Sequence, residues 1–124
     1  MDVKTGEYVW FDIPVRDFEK AKAFYGELLG WRFEPQGDVK TTSYWMIKVG
    51  DKMLGGLRKP EEGIVATDAP VLYFAVQKID PAVERAKKLG ATLVGKIVDI
   101  GNNMGRYQWF RDPDKNLVAI WAQS

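Results

Sequence analysis

The sequence predicts an α+β fold built from two copies of one small module, each running strand, helix, strand, strand, strand. Three observations predict it. Runs rich in branched and aromatic residues, with alternating polarity, mark strands in both halves. Each half has one amphipathic stretch that ends on a Leu-Gly pair, Leu29-Gly30 and Leu89-Gly90. The opening strands also answer each other, Phe11-Asp12-Ile13-Pro14-Val15 against Leu72-Tyr73-Phe74-Ala75-Val76.

In the first half Glu7 to Val15 reads as a strand. Asp17 is placed to cap a helix, and Phe18, Ala21, Phe24, Tyr25 and Leu28 fall on one face of it. Gly30 stops the helix. Trp31 to Glu34, Ser43 to Val49 and Lys52 to Arg58 read as three further strands, with Gly50-Asp51 as a tight hairpin between the last two. In the second half Val71 to Val76 is a strand, Asp80 caps the helix and Pro81 sits in its first turn. Val83, Ala86 and Leu89 line that helix, and Gly90 ends it. Strands follow near Ala91 to Ile100, Arg106 to Arg111 and Leu117 to Gln123. The modules are therefore 7–58 and 71–123, and 59–70, rich in proline, is the linker. One helix cannot cover both faces of four strands, so the modules must pair with each other or with another chain.

Alternation assigns faces. Phe11, Ile13 and Val15 point to the first helix, and Trp10, Asp12 and Pro14 to the open side. Likewise Leu72, Phe74 and Val76 meet the second helix, leaving Val71, Tyr73 and Ala75 open.

Composition excludes much chemistry. The chain of 124 residues has no His and no Cys, so zinc fingers, thiol nucleophiles and Ser-His-Asp triads are out. A net charge of +1, with acids and bases interleaved, gives no electrostatic footprint for nucleic acid. No apolar run approaches the ~20 residues of a membrane helix, and the N-terminal residues lack a signal-peptide core. A cytoplasmic protein is expected.

The chain resembles the vicinal oxygen chelate superfamily, the glyoxalase and bleomycin-resistance relatives. The carriers are Phe11 to Asp17, Ala23-Phe24-Tyr25-Gly26-Glu27-Leu28-Leu29-Gly30-Trp31, Leu54-Gly55-Gly56-Leu57, and Phe110-Arg111-Asp112-Pro113-Asp114-Lys115-Asn116. The family's turn carries glycine where this chain has Lys115, so the left-handed residue is expected at Asn116. The resemblance implies two βαβββ modules forming curved mixed sheets around a cleft, with helices outside. It also implies metal ligands on the first and last strands of each module. Counting from Val15, Val76 and Asp112 puts those positions at Trp10, Val71 and Ala119, with Gly55 as the first-half counterpart of Ala119. None of these side chains can bind a metal, so no metal and no cofactor is expected.

What the open face offers instead is aromatic. Five Trp, five Tyr and six Phe are present. Trp10, Asp12, Gly55, Tyr73, Trp109, Ala119 and Trp121 are the candidate ligand-binding residues, joined by Tyr44, Met46 and Tyr107 where strand phase allows. Asp12 would pair with a ligand cation, act as a base, or serve as a structural acid held by Arg106, Arg111 or a backbone amide. Gly55-Gly56 is placed to let a ligand approach the backbone, or to mark a bulge. The function expected is a metal-free protein binding a small aromatic or cationic molecule. The alternative is a metal-independent isomerase or lyase using Asp12 with a tyrosine. A homodimer is expected, since eight short strands leave edges that need cover.

Overall fold

The computed structural model of the chain describes residues 3–60 and 69–124. The described residues form eight strands and two helices, with both parallel and antiparallel pairing, an α+β fold as the pattern predicts. Most of the expected linker, residues 61–68, lies outside the described residues. The chain divides into two compact units, residues 11–70 and residues 1–10 with 71–124.

In the first of these, β1 (Tyr8–Pro14) supplies its later residues, followed by α1 (Phe18–Leu29), β2 (Arg32–Pro35), β3 (Tyr44–Val49) and β4 (Lys52–Arg58). The strand order is β2-β3-β4-β1, with β4 parallel to β1 and the other pairs antiparallel. The Asp17 carboxylate accepts from Lys20 N–H at 3.1 Å, and Gly30 closes the helix at φ 71°, donating to the Gly26 carbonyl. Trp45, Ile47 and Leu57 form the core, with Phe11, Ile13, Val15, Phe18, Ala21 and Tyr25 packed around them. The expected helix stripe is therefore divided. Phe18, Ala21 and Tyr25 meet the strands, whereas Phe24 and Leu28 are 61% and 65% exposed. The apolar stripe is wider than the arc of α1 that the strands can cover.

The other unit contains β5 (Val71–Ala75), α2 (Ile79–Lys88), β6 (Thr92–Asp99), β7 (Arg106–Arg111) and β8 (Leu117–Ala122), in the order β5-β8-β7-β6. Again the first and last strands, β5 and β8, run parallel. The start of the chain joins here, as Gly6 N–H donates to Ala75 O and Ala75 N–H to Glu7 O, both at 2.8 Å. Ile79, Val83 and Ala122 are the buried centre, with Val76, Leu93, Ile97 and Ile120 around it. Leu72, expected under the helix, is 43% exposed, because α2 is only ten residues long and packs against β6, β7 and β8. Asp80 does not cap α2. Lys78 holds the cap position without a side-chain bond, and Asp80 pairs with Arg106 at 2.9 Å. Ile79, which the periodicity omitted, anchors the helix.

Pairing of β6 with β7 jumps from Val94–Trp109 to Val98–Tyr107, so Gly95, Lys96 and Ile97 stand against Gln108 alone. The Gln108 amide fills that bulge. It is buried and donates to the Val94 and Gly95 carbonyls at 3.1 and 3.2 Å.

The turn from β7 to β8 corrects one expectation. Lys115 itself is left-handed, at φ 71°, not Asn116. Asp112 fixes it, accepting from Asp114 N–H at 2.8 Å and Asn116 N–H at 2.9 Å. Asn116, first through its side chain and then its backbone, holds the Asp112 carboxyl below the usual carboxylate range. The Asp112 bonds over-determine the loop, so a non-glycine residue is kept in a strained conformation. Lys115→Gly is expected to raise stability by about 0.5–1 kcal/mol, the left-handed strain less the added chain entropy. Chemical denaturation checks this, and an unchanged or lower midpoint refutes it.

Candidate functional site

On the face of the first unit opposite α1, the strand registers line up two rows. Asp12, Gly56 and Met46 make one, and Pro14, Arg58 and Tyr44 the next. Asp12 is 1% exposed, an unusual burial for a carboxylate. It is held from both sides. Tyr44 Oη donates to Asp12 Oδ1 at 2.5 Å, and Arg58 Nε donates to Oδ2 at 3.0 Å. The Arg58 guanidinium also lies 5.0 Å from the Tyr44 ring centre. Gly56 makes this possible, since a β-carbon there would overlap the Tyr44 phenol.

The second unit builds the equivalent rows from aromatics. Tyr73, Ala119 and Trp109 form one, and Ala75, Trp121 and Tyr107 the other. Trp109 Nε1 donates to Tyr73 Oη at 2.9 Å across the fully buried Ala119. Tyr107 stands edge-on to Tyr73 with centroids 5.4 Å apart and tilts against Trp109 at 5.6 Å. The Trp121 indole N–H donates to the Met104 carbonyl at 2.8 Å.

The registers make the modules comparable residue by residue. Asp12 matches Tyr73, Met46 matches Trp109, Tyr44 matches Tyr107, Arg58 matches Trp121, and Gly56 matches Ala119. The counterpart of Ala119 is thus Gly56 and not Gly55. Gly55 faces the α1 side, where a β-carbon would overlap Phe11. The bulge responsible lies at Leu54, skipped between the Ile47–Gly55 and Lys48–Met53 pairs. Counting along the chain cannot see it.

Each unit therefore repeats one device. The last strand carries a residue with almost no side chain, and a polar aromatic from the neighbouring strand reaches across to the first strand. Asp12 is held by Arg58 and Tyr44, not by the expected arginines. Arg106 pairs with Asp80, and Arg111 donates to the Lys115 carbonyl at 3.2 Å. Sequence alone does not pair Arg58 with Tyr44, because regular counting from the Gly50-Asp51 hairpin sets Tyr44 opposite Leu57, and the bulge at Leu54 moves Arg58 into that place. Of the other candidates, Trp10, Tyr73, Trp109, Ala119 and Trp121 belong to one unit, and Asp12 and Gly55 to the other.

These residues do not fit the metal that the family resemblance implies. The positions Trp10, Gly56, Val71 and Ala119 present an indole, no side chain, an isopropyl and a methyl, and the space at Gly56 is taken by Tyr44. Among the described residues no three His, Cys, Asp or Glu converge as a metal site would need. Two surface concavities lie elsewhere, along α2 and at the Asp112 turn. No described helix is long and apolar enough to cross a membrane.

Residues 7–120 match the sequence model of the Glyoxalase/Bleomycin resistance protein/Dioxygenase superfamily. A glyoxylase-like domain-containing protein of Didymella fabae is 23% identical over 95% of this chain and 94% of its own. CFP32 of Mycobacterium bovis, a protein provisionally named a glyoxylase, is 26% identical over 94% of this chain, which spans only 44% of that relative. The crystal structure of methylmalonyl-CoA epimerase from Mycobacterium tuberculosis superposes with a TM-score of 0.67 at 16% identity, covering 100% of this chain and 93% of that one. At that identity the likeness is one of fold.

Gly56→Ala is expected to push Tyr44 off Asp12 and destabilise the protein by about 1–3 kcal/mol, the range for overpacking. Asp12→Asn leaves Arg58 without its carboxylate and is expected to cost about 3 kcal/mol. Urea midpoints of the two variants and the double mutant check this. A strictly additive double mutant would show that the two sites do not act through the same contact.

Proposed function

The chain belongs to the glyoxalase/bleomycin resistance/dioxygenase superfamily, and within it we propose a metal-free member that binds a small aromatic or cationic molecule. The observation that carries this reading is the donor set. Where the family's closing strand usually places a ligand, this chain has Ala119 and Gly56, each overlain by an aromatic bridge. Without coordinating groups, ligand affinity has to come from apolar area, ring stacking and a few hydrogen bonds. Tyr73 and Trp109 are 4% and 6% exposed, so they act as a rigid backing. Trp10, Tyr107 and Trp121 are only half-buried and would supply the contacting rings. Each stacked pair would add about 0.5–1.5 kcal/mol beyond area burial, and a cation would gain a similar amount over the ring faces.

One contact favours a second reading. The 2.5 Å hydrogen bond between Tyr44 and the Asp12 carboxylate joins an acid and a phenol, the pair a metal-independent isomerase or lyase would use to move a proton. That use requires substrate to displace Arg58 or Tyr44 from Asp12.

Melting and Trp fluorescence across a panel of aromatic cations and neutral aromatics test the first reading. A binder should raise the melting temperature, because it stabilises only the folded state. Trp10→Ala should weaken affinity about tenfold, a stacking-sized loss, whereas Trp31→Ala should not. Trp31 is packed against Phe11 and Tyr25 in the other unit. Equal effects from both substitutions, or a full equivalent of metal retained after dialysis, refute it. Solvent-deuterium exchange into a bound carbon acid, lost in Asp12→Asn, would favour the enzyme instead.

A further inference from the structure

The concavity at the turn between β7 and β8 is lined by Gly90, Thr92, Arg111, Asp112, Pro113 and Lys115, all within residues 71–124. Its volume of about 580 Å³ lies in the range of small-molecule sites. Two of the lining residues are cations, and the fold leaves both with donors to offer. Arg111 is half-buried and commits one N–H group to the Lys115 carbonyl at 3.2 Å. Among the described residues its other N–H groups have no hydrogen-bond or ion-pair partner. A half-buried guanidinium with part of its planar fork unmatched favours an anion. Thr92 stands opposite Arg111 in the β6–β7 ladder, and its hydroxyl too has no partner among the described residues.

Lys115 is the more telling residue. Its φ of 71° lies in the region that glycine occupies without strain. Its side chain is exposed and forms no ion pair or hydrogen bond among the described residues. The turn is held by Asp112, so the fold makes no use of the ammonium. Strain that serves no packing purpose collects at functional sites. Asp112 does not neutralise the two cations. Its Oδ1 accepts from the Asp114 and Asn116 N–H groups at 2.8 and 2.9 Å, and its Oδ2 from the Asn116 side-chain amide at 3.0 Å. The carboxylate is thereby tied to its own loop. Asp114, the other acid of the turn, is exposed and is not among the lining residues.

The geometry points to a binding site for a phosphate group, gripped by the Arg111 fork, with Lys115 supplying a second positive charge and Thr92 a hydroxyl. Two cations match a dianion better than they match a single carboxylate. The rest of the concavity, along Pro113 and Gly90, has room for the organic part of a small phosphate ester. None of these residues belongs to the aromatic rows, so binding at the two places can be tested separately.

Titration of the full chain with inorganic phosphate and with glycerol phosphate, at constant ionic strength and followed by amide NMR shifts, tests this. Saturable shifts at Thr92, Arg111 and Lys115 are expected, with a Kd on the order of 1 mM or tighter. Arg111→Lys keeps the charge but removes the fork, and should weaken binding at least about tenfold. Lys115→Gly should weaken it about fivefold, the loss of one partly screened charge, while the denaturation midpoint rises. That pairing separates lost affinity from a damaged fold. Tighter binding of the ester assigns the site to an organic phosphate, and binding no tighter than that of the ion assigns it to free phosphate. Shifts that never saturate, an unchanged affinity in Arg111→Lys, or undiminished binding in Lys115→Gly would each overturn the proposal.

Discussion

Each module is closed by a parallel pair between its first strand and its last, and the rest of the molecule's chemistry depends on that closure. Parallel pairing needs a long crossover, and here the helix and two strands between supply it. The result sets residues more than forty positions apart side by side. Asp12 comes to lie against Gly56, and Tyr73 against Ala119. Once those pairs are fixed, the antiparallel partners decide what reaches over them. Tyr44 crosses to Asp12, and Trp109 crosses to Tyr73. Neither bridge would form with a larger residue in the middle row.

Most of the architecture was readable because its signals are local. Alternation gave both faces of β1, Asp17 announced α1, and Gly50-Asp51 announced the hairpin. What stayed unreadable depends on tertiary context. The Gly55-Gly56 pair points to a bulge but not to its place at Leu54, which shifts Gly55 to the helix side. Asp80 looks like a cap, but Arg106 from a distant strand claims it. Lys115 takes a conformation that glycine would normally hold, because the Asp112 side chain anchors the loop from within. The α1 stripe was identified correctly as apolar, but periodicity cannot tell how much of a stripe the sheet will cover. The candidate site was legible as a set of residue types on one face, and its bonding was not, since both bridges join strands whose registers are set by turns and bulges.

The superfamily relationship and the donor chemistry pull in different directions, and the local geometry explains how both hold. The fold needs a compact middle row on the parallel strands, and it does not need that row to carry a carboxylate. Here the vacated volume is filled by polar aromatics rather than left as a void, which keeps packing dense and the polar atoms satisfied. An acid as buried as Asp12 persists because a guanidinium and a phenol both face it.

The Gln108 bulge bears on how the molecule behaves in a crowd. Among the described residues β6 is the outermost strand of its unit, with no strand paired to its outer side. A straight edge of that kind invites another chain to add a strand. With three residues of β6 standing against one of β7, and Lys96 at the middle of them, the edge is kinked and charged where a template would need to be flat. The buried amide of Gln108 keeps the kink from ironing out, because the Val94 and Gly95 carbonyls would otherwise lose their donor. A single side chain inside the sheet thereby protects its rim from runaway strand addition.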